Sequence, residues 1–305
     1  MLEFNRILLA TDFSASATAA LQYAAALTHL SHATLHVLHV IDTRVSVLSR
    51  WTDILHSPEI FAVKAAEETA ALQELLAHPA LTGLPVAQFV RHGHPADSII
   101  DAAASVDLVV MGTSGTTTSG RATEQVAQQV AHGSPVPVLL VPASCQAPET
   151  SATLPPALPV QRILFALHVA QYAPQAVTLC RTLATVCHAA LCVLQVLDPE
   201  AFHSYPLDAG AGLSHNLDGT YVLLHKRLED LMPDTPTGPV VERLVVLGTP
   251  AAVILQQSHE RHVDLVVMSV HVYGGLKKLF APSTVNAVLA QTPCPLLAVP
   301  FPPSL

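Results

Sequence analysis

The sequence predicts an α/β protein of two tandem, doubly wound domains, each on a five-stranded parallel sheet. Three observations carry this expectation. Five short segments recur in the same order at a nearly constant offset. They are mostly unbroken runs of Val, Ile and Leu, as strands covered on both faces should be. Helical patterns lie between them, and alternation of strand and helix with right-handed crossovers leaves few topologies.

The repeat can be followed element by element. Ile7-Leu8-Leu9-Ala10 returns as Ile163-Leu164-Phe165-Ala166. Leu35-His36-Val37-Leu38-His39-Val40-Ile41-Asp42 returns as Leu191-Cys192-Val193-Leu194-Gln195-Val196-Leu197-Asp198. Gly93-His94-Pro95-Ala96 returns as Gly248-Thr249-Pro250-Ala251, and Asp107-Leu108-Val109-Val110-Met111 as Asp264-Leu265-Val266-Val267-Met268. Pro137-Val138-Leu139-Leu140-Val141-Pro142 closes the first half, and Pro295-Leu296-Leu297-Ala298-Val299-Pro300 the second.

Between the strands of the first half, Ala17, Ala20, Leu21, Ala24 and Thr28 form one small-residue helix face, with Ser14 or Ser16 as its N-cap. A second helix is expected over Ile60 to Leu76, a third opening at Pro95, and a fourth over about Thr123 to His132. Pro142, Pro148, Pro155, Pro156 and Pro159 mark an exposed linker. The expected domains are therefore residues 1–143 and 159–305, joined by a linker at 144–158. Thr43 to Pro58, which holds Trp51, and Pro199 to Thr220 read as surface loop excursions.

Composition narrows the function classes. The 305 residues are 50% apolar and 12% charged, enough to bury two ordinary cores. A formal charge of −9 argues against nonspecific binding to nucleic acid or anionic lipid. No apolar run is long enough to span a membrane, and Met1 to Arg6 lack the pattern of a cleavable leader. A cytoplasmic protein is expected. The five cysteines include no C-x-x-C pair and read as core residues in a reducing compartment.

The 17 histidines raise the question of a metal. His36 and His39 fall on opposite faces of a strand. His92 and His94 would share a face, but two ligands do not complete a site. No metal site is expected. No H-E-x-x-H, G-x-S-x-G or Walker-type lysine loop occurs, so no catalytic residue is assigned and an enzyme is not expected.

A ligand crevice in such a sheet lies beyond the carboxyl ends of the strands, where the strand order reverses. Thr11-Asp12-Phe13-Ser14 places Asp12 there, and Met111-Gly112-Thr113-Ser114-Gly115 ends the fourth strand beside it. Glycines allow backbone N–H groups to approach an anion, and the helix that follows adds its positive end.

These segments, with the G-x-P before the third helix, resemble the universal stress protein family over almost the whole chain. The resemblance implies an adenine nucleotide alpha-hydrolase-like fold with strand order 3-2-1-4-5. It implies ATP as a ligand, with magnesium accompanying the nucleotide, and a regulatory protein rather than a strong enzyme. Asp12 would face the ribose, the Val40 backbone the adenine, and the Gly112 and Gly115 backbones the phosphates. The family also pairs through its last strand. Here the Leu139-Leu140 and Leu296-Leu297 edges would pair within the chain as a pseudo-two-fold.

The departures from the family pattern are as informative. Glu124-Gln125 stand where a Gly-Ser pair is expected. A carboxylate at about 5 Å from a triphosphate would cost roughly 3 kcal/mol at an effective dielectric near 20. Arg121 lies nearby. In the second half His168 replaces the acid, and Ser269, Val272 and Pro282 replace the glycines. Proline there removes an N–H donor. Ser283 and Thr284 keep hydroxyls and remain weaker second-domain candidates, with Lys277 and Lys278 nearby. The expectation is one nucleotide, in the first domain. The competing readings are a scaffold that acts through an unidentified protein partner, and a very slow ATP hydrolase.

Overall fold

The computed structural model describes residues 2–42, 58–113, 120–145, 158–168, 173–199, 217–271 and 283–301. Gly115, Val272, Lys277, Lys278, Pro282, Trp51 and most of the linker and the excursions lie outside the described residues, as does the Arg121 side chain. The chain divides into two compact units, Glu3–Leu158 and Pro159–Leu305, the latter also taking in Met1–Leu2.

In the first unit the elements run β1 (Arg6–Thr11), α1 (Ala15–Ser31), β2 (Thr34–Asp42), α2 (Pro58–Leu76), β3 (Val86–Gly93), α3 (Pro95–Ala103), β4 (Leu108–Gly112), α4 (Gly120–Gly133) and β5 (Val138–Val141). Every pairing is parallel and the strand order is β3-β2-β1-β4-β5, the order expected. The second unit repeats the plan with β6 (Arg162–Ala166), α5 (Pro174–Val186), β7 (Ala190–Leu197), α6 (Leu217–Leu231), β8 (Val241–Leu247), α7 (Pro250–Glu260), β9 (Leu265–His271), α8 (Thr284–Leu289) and β10 (Leu296–Phe301). Its order is β8-β7-β6-β9-β10, again parallel throughout.

Burial explains why the strands read as they do. β4 is buried along its whole length, and Ile7, Leu9, Val37, Val110 and Leu140 are inaccessible to solvent. Each fully buried side chain of this kind contributes about 1.5–3 kcal/mol. β3 is far more open, exposed from Gln88 to His92.

Two local devices recur in both units. Asp107 Oδ2 accepts the backbone N–H groups of Asn5 (2.7 Å) and Arg6 (2.9 Å), fixing the entry into β1. Asp264 Oδ2 does the same for Gln161 and Arg162, both at 2.9 Å. The second device is a histidine in left-handed conformation after a helix. His32 (φ 55°), His188 (φ 52°) and His262 (φ 50°) follow α1, α5 and α7. In each case the next N–H reaches back into the last turn: Ala33 to Thr28, Ala189 to Ala184, Val263 to Ser258. These are Schellman ends with histidine where glycine is usual.

Other histidines begin helices. His94 was expected to share a strand face with His92, but β3 stops at Gly93, whose φ of 145° turns the chain. His94 is instead the N-cap of α3, its Nδ1 accepting from Asp97 N at 3.5 Å. His78 caps the short 3-10 turn Pro79–Leu81, accepting from Ala80 N at 3.2 Å. Five of the 17 histidines therefore serve chain geometry. None of the five cysteines forms a disulfide, and burial raises the thiol pKa values of Cys145, Cys180, Cys187 and Cys192, that of Cys192 to about 11. Such thiols are poor nucleophiles.

Helix bounds differ modestly from expectation. α2 starts at Pro58, two residues before Ile60, and α4 spans Gly120–Gly133 rather than Thr123 to His132. Between the two candidate caps of α1, Ser14 is the one used: its Oγ accepts from Ala17 N at 3.3 Å.

Candidate functional site

The strand order of the first unit reverses between β1 and β4. β1 pairs with β2 only as far as Thr11 opposite His39, whereas β2 pairs with β3 on to Asp42 opposite Gly93. Val40 thus lies past the end of the β1 ladder, half-buried at the lip of the crevice.

The turn after β1 is held by its own side chains. Asp12 is exposed; its Oδ1 accepts from Ser14 N at 3.1 Å, and its Oδ2 accepts the Thr123 hydroxyl from α4, also at 3.1 Å. Thr11 Oγ1 accepts from Phe13 N at 3.1 Å. Phe13 has φ 61°, a conformation that costs a non-glycine residue on the order of 1 kcal/mol or more. His39 holds both flanks of Asp12. Its Nδ1 lies 2.9 Å from the Thr11 carbonyl, and its ring centroid 4.5 Å from that of Phe13. A carbonyl only accepts, so Nδ1 carries the proton.

On the β4 side, Gly112 has a packing reason to be glycine. A Cβ there would stand 2.3 Å from Ser16 Oγ and 2.7 Å from the Ser16 carbonyl carbon. The first turn of α1 lies directly on β4 at that point. Whatever else its backbone does, Gly112 is required for that approach.

Thr123 is the residue that sequence counting passed over. Counting from the last strand placed Glu124-Gln125 at the hydroxyl position, yet the hydroxyl that reaches Asp12 belongs to the preceding residue. The signal available was a threonine near the start of the fourth helix. Glu124 is half-buried, and its Oε1 accepts from Gln128 Nε2 at 3.3 Å along its own helix.

The second unit places different chemistry at the same points. His168 follows β6 where Asp12 follows β1. Packing round its ring, and then the charge of His271, push its pKa below the ordinary imidazole value, against a raising backbone hydrogen bond. Gln195 stands for His39 and donates to the Val196 carbonyl at 2.6 Å. Ser269 stands for Gly112, with a buried hydroxyl that has no hydrogen-bond partner. Ser283 and Thr284 are half-buried at the start of α8; Ser283 occupies the N-cap position without a side-chain capping bond.

The doubly wound parallel sheet, with Asp12 past β1 where the strand order reverses, puts both units in the class of open α/β domains. The model of the universal stress protein family matches residues 3–142 and again 159–300, and the chain belongs to that family as a tandem two-domain member. A universal stress protein of Thermus aquaticus is 38% identical over 61 residues, which is 20% of this chain and 44% of that protein. The chain thus aligns with less than half the length of that curated relative. Among solved structures, a universal stress protein from Archaeoglobus fulgidus is similar over 97% of this chain and 96% of its own, with TM-score 0.68 at 20% identity. A putative universal stress protein from Pseudomonas aeruginosa covers 98% and 94%, with TM-score 0.60 at 14% identity. These two similarities speak to the fold. Among the described residues, no helix is long and apolar enough to cross a membrane.

Proposed function

We propose that this chain is a cytoplasmic regulatory protein that binds one adenine nucleotide, ATP, in its first half and turns it over slowly or not at all. The observation that carries this reading is the fixed carboxylate of Asp12. It stands at the switch-point crevice of the first unit, held between Ser14 N and the Thr123 hydroxyl. A carboxylate accepts the paired hydroxyls of a ribose, and exchange of the Thr123 hydroxyl for a ribose hydroxyl would keep it satisfied. On this reading the Val40 backbone would face the adenine and the Gly112 backbone the phosphates with magnesium; Gly115, the other expected phosphate residue, lies outside the described residues.

The second half supports binding poorly, because His168 supplies no acceptor of the same charge. The test is the small-molecule content of protein denatured straight after purification, followed by calorimetry with ATP. About one nucleotide per chain is expected. Protein that carries none and binds none at millimolar ATP would favour the scaffold reading instead.

A further inference from the structure

His39 is buried in the interface between α2 and the sheet, with 9% of its side chain exposed. Nδ1 is committed to the Thr11 carbonyl at 2.9 Å. Nε2 is buried without a hydrogen-bond partner and faces Glu68 Oε2 of α2 at 3.9 Å. Glu68 sits where an apolar residue is expected. It shares a helix face with buried Leu72, at i and i+4, while its neighbours Glu67 and Thr69 are exposed.

The second half lacks both members of this pair. Gln195, 1% exposed, takes the place of His39, and among the described side chains the inward stripe of α6 is Thr220, Leu224 and Leu228, with no acid. An amide cannot take up a proton at neutral pH, and a leucine cannot receive one. The half with Asp12 therefore has the titratable pair, and among the described residues the half with His168 shows no counterpart of it.

We propose that His39 is the positioning residue of the Asp12 site, and that a proton shared with Glu68 tightens it. The inference rests on the reading of Asp12 as a ribose acceptor. The neutral imidazole, protonated on Nδ1, holds Thr11 alone and turns the Nε2 lone pair toward a carboxylate. The imidazolium donates through both nitrogens and ties α2 to the turn that carries Asp12. Among the described residues, few groups surround the ring. Glu68 faces it from α2, Asp12 and Phe13 lie on the turn, β3 presents Val90 opposite and His92 two residues on, and α1 has no charged residue before His29.

Adenosine is the probe, since it has no group that ionises in this range. With the full-length chain, its affinity should rise about fivefold from pH 8 to pH 6, the lower end of ordinary coupling between sites. Calorimetry in two buffers of different ionisation enthalpy should show proton uptake on binding. Glu68→Gln should abolish that dependence while leaving binding at pH 8 intact. His39→Gln, the residue the second half already accommodates, should weaken adenosine about tenfold, as loss of one hydrogen bond to a key turn would. Amide exchange at fixed pH in the ligand-free chain should quicken at Phe13 and Ser14 in His39→Gln and not at Leu167. Faster exchange at those amides without adenosine binding by any variant would uphold the positioning role and remove the nucleotide reading. An unchanged pH profile in Glu68→Gln, or unchanged exchange in His39→Gln, overturns the proposal.

Discussion

Gly112 and Ser269 occupy the same place in the repeat, at the end of the fourth strand of each half, yet they answer to different constraints. In the first half α1 lies so close that a single methyl group would meet Ser16 at 2.3 Å. In the second half there is room for a hydroxymethyl group, whose oxygen is buried without a hydrogen-bond partner. The neighbouring positions diverge in the same sense. Asp12 against His168, His39 against Gln195, and Glu68 against an apolar stripe all separate a tightly tied crevice from a loosely specified one. The comparison teaches that a repeat conserves the frame and is free to lose the site. Strand order and entry clamps are common to both halves, but the crevice chemistry is not.

The sharpest way to break that comparison is Asp12→Ala, which should remove measurable nucleotide binding from the chain, a loss of about 2–3 kcal/mol or more for a charged acceptor. His168→Asp should not create a second site, since the rest of the crevice is also changed. Calorimetric detection of two equivalent ATP sites in the natural chain would end the asymmetry argument.

Next in size is Gly112→Ala. Its clash involves Ser16 and Ala17 backbone as well as a side chain, so the first half should lose about 1–3 kcal/mol, as overpacked sites do. Ser269→Ala should leave the second half unchanged or slightly more stable, because it removes a buried hydroxyl with no partner. Denaturant titrations of the two variants with circular dichroism would decide; equal losses would refute the distinction.

Glu124 is expected to matter less. Its carboxylate already bonds Gln128 along the helix, so Glu124→Gln should tighten ATP only about threefold, within surface-charge effects, and adenosine not at all. Equal effects on both ligands would place the charge away from any phosphate.

Acidification offers a smaller test. Burial lowers the pKa of His78, so the folded state holds this ring neutral while the unfolded chain binds the proton. The unfolded state then binds more protons, and stability falls as pH drops below about 6.5 toward the lowered folded value. Protonation also removes the Nδ1 acceptor that caps Ala80 N. His78→Asn, which keeps a cap without titrating, should flatten that part of the curve. The smallest expected effect is at His188 and His262, where replacement by glycine relieves a left-handed backbone and should stabilise by about 0.5–1 kcal/mol in a thermal melt.

The sequence by itself determined the duplicated α/β plan, because fully buried parallel strands must be continuous apolar runs and the same runs appear twice in one order. It also placed Asp12 at the crevice, since a residue just past the first strand can stand nowhere else in this topology. The histidines were legible only as too few ligands for a metal. That His32, His188 and His262 end helices, and that His94 begins one, depends on backbone φ angles that residue type alone does not fix. Thr123 as the partner of Asp12, the glycine requirement at Gly112, and the meeting of His39 with Glu68 were decided by tertiary structure. Each is a contact between residues at least 29 apart, with Asp12 and Thr123 separated by 111, and periodicity carries no information about such a distance. Local pattern sets which face a side chain takes, and only packing of the elements sets what it meets there.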